Sequence, residues 1–465
     1  MADDETKNYL KRRKTMNRDL TRGPVLQSML LFAVPFILGN LLQQCYNIAD
    51  TLIVGRFLGA NALAAVGSSY SLMSFLTSIL LGMCMGSGAY FSIRFGQKDD
   101  FALKEGMCAS FAMIALLTAV LTGLSFALLD QIRIFLQVPE DVWGLMRGYL
   151  AVIFWGIPAT FLYNYFASLL RAVGNSVVPL VFLAVSALLN IALDIWFVVG
   201  LERGVSGAAE ATALAQYVSG VGIALYTWWR CPHLRVGKEH CRIRMSCIKR
   251  ISSFSLLTCA QQSVMNFGIL MVQGLVNSFG PTVMAAFAAA VKIDSFAYMP
   301  VQDFGNAFST FIAQNYGARK KDRIQAGLKG AMLVVVVFCA VVSTVVCLFA
   351  RPLMLLFVEA HETAILAEGI RYLRIEGAFY FGIGCLFLLY GLYRALGKPG
   401  MSVVLTVISL GTRVALAYIL SAIPTVGVVG IWWAVPIGWI LADATGLLYY
   451  RFFRGKGDTL FADHD

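Results

Sequence analysis

Asn190 and Asp194 stand four apart in Leu189-Asn-Ile-Ala-Leu-Asp194. On a helix that spacing puts them on one face, one turn apart. Asp50 stands in Tyr46-Asn-Ile-Ala-Asp-Thr51, with Gln43 seven residues earlier on about the same face; Glu210 and Thr212 follow further along the chain. All lie in or beside apolar stretches, where an ionised carboxylate costs about 2.5–3.5 kcal/mol on insertion scales. Such acids are therefore expected to converge inside one bundle. Carboxylate, amide and hydroxyl oxygens suit a hard cation such as Na+, and the same acids could instead hold a proton. An interhelical hydrogen-bond network with no ion also fits.

Other chemistry finds little support. The chain has no P-loop, no Gly-rich dinucleotide turn and no His-Glu-x-x-His run, so neither ATP-driven transport by this chain alone nor a cofactor is expected. No nucleophile–base pair is evident, and the chain does not read as an enzyme. Cys231, His233, His240, Cys241 and Cys247 lack the paired spacing of a structural zinc site, so no metal is expected there. The ten cysteines fall mostly in apolar stretches or near these residues and imply no disulfide framework.

The elements that must position these acids are membrane helices. Hydrophobic residues make up 58% of the chain and charged residues 14%, with a mean hydropathy of +0.72, against about one-quarter charged in soluble domains. The apolar blocks exceed the roughly 20 residues a helix needs to cross a bilayer and lack the alternation of barrel strands. They predict spans near 27–55, 61–95, 103–129, 142–170, 176–200 and 206–229, then 249–277, 283–316, 326–350, 366–393, 401–423 and 428–451. The fold class is all-α integral membrane, with twelve transmembrane helices in two six-helix bundles.

The net charge of +11 is concentrated in the N-terminal arm, the stretch from Arg230 to Arg250, the group from Arg319 to Lys329, and Arg451, Arg454 and Lys456. The positive-inside rule then puts both termini and the central linker in the cytoplasm of a multi-pass protein of the cytoplasmic membrane. This gives a basic arm over 1–26, a first bundle over 27–229, a linker over 230–248, a second bundle over 249–451 and a tail over 452–465. The arm has no apolar core and is not read as a signal peptide. It is read as a topology signal, with no nucleic-acid partner expected. Pro35, Pro158, Pro179, Pro300 and Pro436 are candidate kinks. Gly82-x-x-x-Gly86 and Gly144-x-x-x-Gly148 are expected at close helix contacts.

The halves repeat. Gly59-Ala-Asn-Ala-Leu-Ala-Ala-Val66 recurs as Gly280-Pro-Thr-Val-Met-Ala-Ala-Phe287, a shift of 221; Tyr149-Leu150, Arg171-Ala-Val-Gly174 and Gly207 recur as Tyr372-Leu373, Arg394-Ala-Leu-Gly397 and Gly430, a shift of 223. Six spans per half make this a parallel repeat about an axis along the membrane normal, a transporter architecture with a site at or near the bundle interface. The same shifts put Met271 at Asp50, Arg413 at Asn190, Ala417 at Asp194 and Val435 at Thr212. The second copy loses every oxygen and gains a fixed positive charge, which assigns the cation to the first bundle. Lys292 with Asp294 reads as a self-compensating pair, and Arg413 is expected to find an acid among Asp294, Asp303 and Glu376.

Gln43-Gln-Cys-Tyr-Asn-Ile-Ala-Asp50 with Val54-Gly55 and Ala64-Ala-Val66, Arg171-Ala-Val-Gly174, Leu189-Asn-Ile-Ala-Leu-Asp194 and Arg394-Ala-Leu-Gly397 together resemble the multidrug and toxic compound extrusion (MATE) transporters over nearly the whole chain. The likeness is to the bacterial and archaeal branch whose cation site is in the N-terminal bundle. It implies that Asp50, Asn190, Asp194 and Thr212 bind the cation. It also implies that Pro35 marks a bend in the first helix and that Gln43 and Asn164 line the cavity, to which Tyr46 and Glu210 are added as candidates. The other branch has acids on its seventh and tenth helices. Here the seventh carries Gln261-Gln262 and the tenth only Glu376.

The resemblance implies a monomeric antiporter, driven by Na+ or H+, that exports small organic cations by alternating access of two bundles. Tyr46, Phe154, Trp155, Phe161 and Trp196 could offer cation–π surfaces, and membrane lipids are the surrounding partners. One alternative is a lipid-linked oligosaccharide flippase of the same superfamily, which would need a cationic cavity. Another is a receptor or channel without ion-coupled turnover.

Overall fold

A chain crossing hydrocarbon must satisfy its backbone hydrogen bonds internally, and long helices do so here. The computed structural model describes residues 19–136, 138, 140–242 and 244–455. Most of the basic arm and of the tail lies outside the described residues. The first half contains α1 (Val25–Leu58), α2 (Ala60–Gln97), α3 (Asp100–Ala127), a short α4 (Leu129–Leu136), α5 (Glu140–Ile153), α6 (Ile157–Ala172), α7 (Val177–Asp194) and α8 (Gly204–Arg230). The second contains α9 (Met245–Asn277), α10 (Pro281–Gly317), α11 (Lys321–Leu348), a short α12 (Ala350–Met354), α13 (Thr363–Gly377), α14 (Tyr380–Ala395), α15 (Pro399–Ser421) and α16 (Val428–Gly455). A 3-10 turn at Phe154–Gly156 joins α5 to α6 as one span, and α13 with α14 forms another, bent by 50°. Among the described residues, ten helical stretches are long and apolar enough to cross a membrane, and the bent pair makes an eleventh. The less apolar α8, 27 residues long, completes six and six.

The repeat is written in the backbone as well as in the residue types. Gly59 and Gly280 have φ of 85° and 95°, Lys98 and Arg319 59° and 56°, Gly174 and Gly397 89° and 75°, and Gly204 and Gly427 63° and 52°. Each pair obeys the shift of 221 or 223. Left-handed turns thus recur between corresponding helices, which requires the same connection geometry twice. Packing repeats too. In the first half α2 packs on α3, α5 and α6, and α8 on α5, α6 and α7. In the second α10 packs on α11, α13 and α14, and α15 pairs with α16.

Two compact units result, one containing residues 31–259 and the other 20–30 with 260–455. In the second, the Leu20 carbonyl accepts from Asn315 Nδ2 at 3.2 Å and Arg323 Nη2 at 3.0 Å, and Arg323 Nη1 donates to the Gly23 carbonyl at 2.7 Å. In the first, Arg244 donates its backbone N–H to Glu105 Oε1 at 2.8 Å and its Nε at 3.0 Å. Ser87 and Ser255 share a hydrogen bond of 2.8 Å.

Local expectations fare unevenly. A Cβ on Gly82 would lie 2.6 Å from Cys259 Cα and one on Gly86 2.6 Å from Ser255 Cα, so that pair does let two backbones approach. A Cβ on Gly144 would meet nothing within 4 Å, and this glycine is not a contact. Pro35, Pro300 and Pro436 sit inside continuous helices. Pro158 opens α6 after the 3-10 break. Pro179 falls in the first turn of α7, where no intrahelical hydrogen bond is lost, so it makes no kink.

Candidate functional site

A departure from regular helix follows directly after Asp194. α7 ends there, and the chain continues as a π-helical stretch, Ile195–Gly200. Widened turns of this kind re-aim side chains and occur often at functional sites. Asp194 is fully buried and Asn190 is 2% exposed. One helical turn apart, both face the same interior, and Asn190 Nδ2 donates to Thr212 Oγ1 on α8 at 3.2 Å.

From α1, Asp50 brings its half-buried carboxyl within hydrogen-bonding reach of Asp194. Tyr149 on α5, itself buried, is near enough to feel the charge of both acids, with no hydrogen bond to either. Tyr46 lies one turn before Asp50, hydrogen-bonds with Gln43 and neighbours Tyr163. Side chains of α1, α7 and α8 thus meet at one point, with α5 packed on α8. Asp50 Oδ1, Asn190 Oδ1 and both Asp194 oxygens are buried without a hydrogen-bond partner. Four acceptors from three side chains, with Thr212 beside them, make an oxygen-lined setting for a hard cation. Two adjacent carboxylates without donors repel each other unless a proton or a cation joins them.

Other candidates have partners or surroundings of their own. Asn164 Nδ2 donates to its own helix at the Thr160 carbonyl, 2.8 Å away. Glu210 forms an ion pair with Arg203, so its charge is met by that arginine. Gln43 is exposed on α1, and Pro35 is half-buried further towards its start. Phe154 and Phe161 are core residues at 0% and 4% exposure, whereas Trp155 and Trp196 are largely exposed.

The second unit holds a different cluster. Asp294 on α10 accepts from the Tyr372 hydroxyl on α13 at 3.4 Å and neighbours Tyr380 on α14. Glu376, one turn beyond Tyr372, lies against that tyrosine, and the Arg413 charge on α15 bears on both acids. Arg413 thus acts on Asp294 and Glu376 through space, and its Nε has no hydrogen-bond partner. Lys292 does not pair with Asp294; it is exposed and lies 6.0 Å over the Phe357 ring. Neighbours two apart on a helix point in different directions.

Tyr149 escaped the residue-level reading because a tyrosine in an apolar span looks like packing. Its signal was the repeat, which pairs it with Tyr372, the tyrosine of the other acid cluster.

Comparison with known proteins adds an independent line. The MatE family profile matches residues 35–196 and again 256–419, and the two stretches are offset by the same 221 and 223. The chain is 30% identical over 451 residues to the probable multidrug resistance protein YpnP of Bacillus subtilis (strain 168), covering 96% of this chain and 99% of that one. It is 23% identical over 442 residues to the multidrug export protein MepA of Staphylococcus aureus (strain NCTC 8325 / PS 47), covering 94% and 95%. In fold it is similar to a solved outward-facing multidrug resistance MATE family transporter of the MOP superfamily, with a TM-score of 0.88, 22% identity and 94% and 97% coverage. It is also similar to a MOP superfamily transporter from Pyrococcus furiosus, with a TM-score of 0.88, 23% identity and 94% and 97% coverage.

Proposed function

This chain belongs to the MatE family, whose members are membrane transporters rather than enzymes, and on that premise we propose that it is a cation-coupled antiporter exporting small organic cations. The observation that carries the reading is the meeting of Asp50 and Asp194 beside Asn190 and Thr212, with buried oxygens that lack donors. Na+ or H+ binds these four residues. Binding ties α1 to α7 and α8 and favours the state with low affinity for the exported compound. Coupling follows because ion and exported compound prefer different states. Gln43, Tyr46 and Asn164 line the path beside this site, and Glu210 stands at its edge.

The basic clusters orient the protein with both ends in the cytoplasm of the cytoplasmic membrane. The relatives named for multidrug resistance and export support organic compounds as cargo. An acidic site in the first bundle disfavours a flippase for a pyrophosphate-linked lipid, which needs positive charge.

The test is binding of tetraphenylphosphonium to the purified protein with Na+ or choline, and across pH. Na+ or acidification should weaken binding in the wild type and leave Asp194→Asn unaffected. Equal sensitivity of the two proteins to both ions would reject the site.

A further inference from the structure

Each bundle buries two carboxyl groups beside one repeat-related tyrosine. In the first these are Asp50 and Asp194 with Tyr149. In the second they are Asp294 and Glu376 with Tyr372. The second pair is as enclosed as the first, with Asp294 at 6% and Glu376 at 1% exposure, and Asp294 Oδ1 and Glu376 Oε1 have no hydrogen-bond partner. The clusters differ in one charge. At the shift of 223, the first bundle has Asn190 and the second has Arg413. Arg413 Nε is buried without a partner, and its charge reaches both acids through space.

We infer that Arg413 is a built-in counter-cation, which supplies to the second carboxyl pair the positive charge that a free monovalent cation supplies to the first, and so confines the coupling ion to one bundle. The inference rests on the reading of Asp50 and Asp194 as the ion site. Two ionised acids alone attract a cation strongly in a low-dielectric setting, whereas a fixed guanidinium whose field reaches both offsets part of that attraction. An arginine stays charged at any working pH, so its block is permanent. With the arginine neutralised, the pair of acids and their tyrosines becomes a site for Na+.

The experiment is equilibrium binding of radioactive Na+ to the purified full chain at alkaline pH, in an Asp194→Asn background that silences the first bundle. Adding Arg413→Gln should create a saturable Na+ site that the background lacks. Arg413→Lys, which keeps the charge, should not, and adding Glu376→Gln to Arg413→Gln should abolish the gain. If Arg413→Gln folds and binds no Na+, or if Arg413→Lys gains the site equally, the inference is overturned. If Arg413→Gln unfolds in choline buffer, Na+ should restore its melting transition, and failure to do so also overturns it. A wild type without an Asp194-dependent Na+ site would count against Na+ coupling in the first bundle alone, because the arginine comparison does not use that site.

Discussion

The carboxyls of Asp50 on α1 and Asp194 on α7 lie within hydrogen-bonding reach of each other, yet three of their four oxygens are buried without a donor. Packing does not need such a pair, and apolar residues of similar volume would avoid its cost. On the proposed reading, a proton or cation bound between the two carboxyls offsets that cost.

Asp194→Asn should separate stability from function. The amide removes a buried charge and can donate to Asp50, so the ion-free variant should melt no lower than the wild type. Ion-driven export should fall at least about tenfold, which corresponds to about 1.4 kcal/mol of lost coupling. Thermal melting with and without Na+, set beside export rates, reads both effects; a wild-type export rate in the variant would count against the site.

Tyr149→Phe keeps the ring and removes a buried hydroxyl near both acids. Removing a buried hydroxyl dipole near the ion should cost no more than about 1 kcal/mol, so ion affinity should fall by up to several-fold while the fold persists. Titrating the ion's effect on drug binding measures this. Tyr372→Phe, its repeat partner, should leave that titration unchanged.

Much of this was legible in the sequence, for definite physical reasons. Hydrocarbon imposes long apolar helices, so twelve spans could be counted without contacts. A duplicated connection needs the same backbone twice, so the shifts of 221 and 223 reappear as paired left-handed residues such as Gly174 and Gly397. Asn190 and Thr212 meet because a buried amide needs a partner. The illegible features have no residue-type signature. The 50° bend between α13 and α14 contains no proline, and the π-helical turn after Asp194 reads as Ile-Trp-Phe-Val-Val-Gly, an ordinary apolar run. Segment 20–30 joins the second unit through backbone carbonyls, which every sequence carries.

The glycines of α2 and α5 make a paired test of packing. Gly82→Ala would push a methyl against the backbone of Thr258 and Cys259 and should cost about 1–3 kcal/mol, as overpacking does. Gly144→Ala meets open space and should be neutral or stabilise by up to about 1 kcal/mol through helix propensity. Melting temperatures of the two variants should move in opposite directions or differ clearly in size.

Arg244→Ala should lower the melting temperature more than Glu105→Gln. The arginine variant strands the buried Glu105 carboxylate, which is 1% exposed, whereas the glutamine variant leaves a neutral acceptor for the Arg244 backbone N–H. Equal losses would mean that the side chains only fill space.

The central claim is most directly tested by reconstituting the wild type and Asp194→Asn in liposomes and following ethidium movement under an imposed Na+ gradient, then an imposed pH gradient. The wild type should move ethidium against its own gradient when one of the two ions flows the other way, and Asp194→Asn should not. Movement of equal rate in both proteins, or none in the wild type under either gradient, would contradict a cation-coupled antiporter built on Asp50 and Asp194.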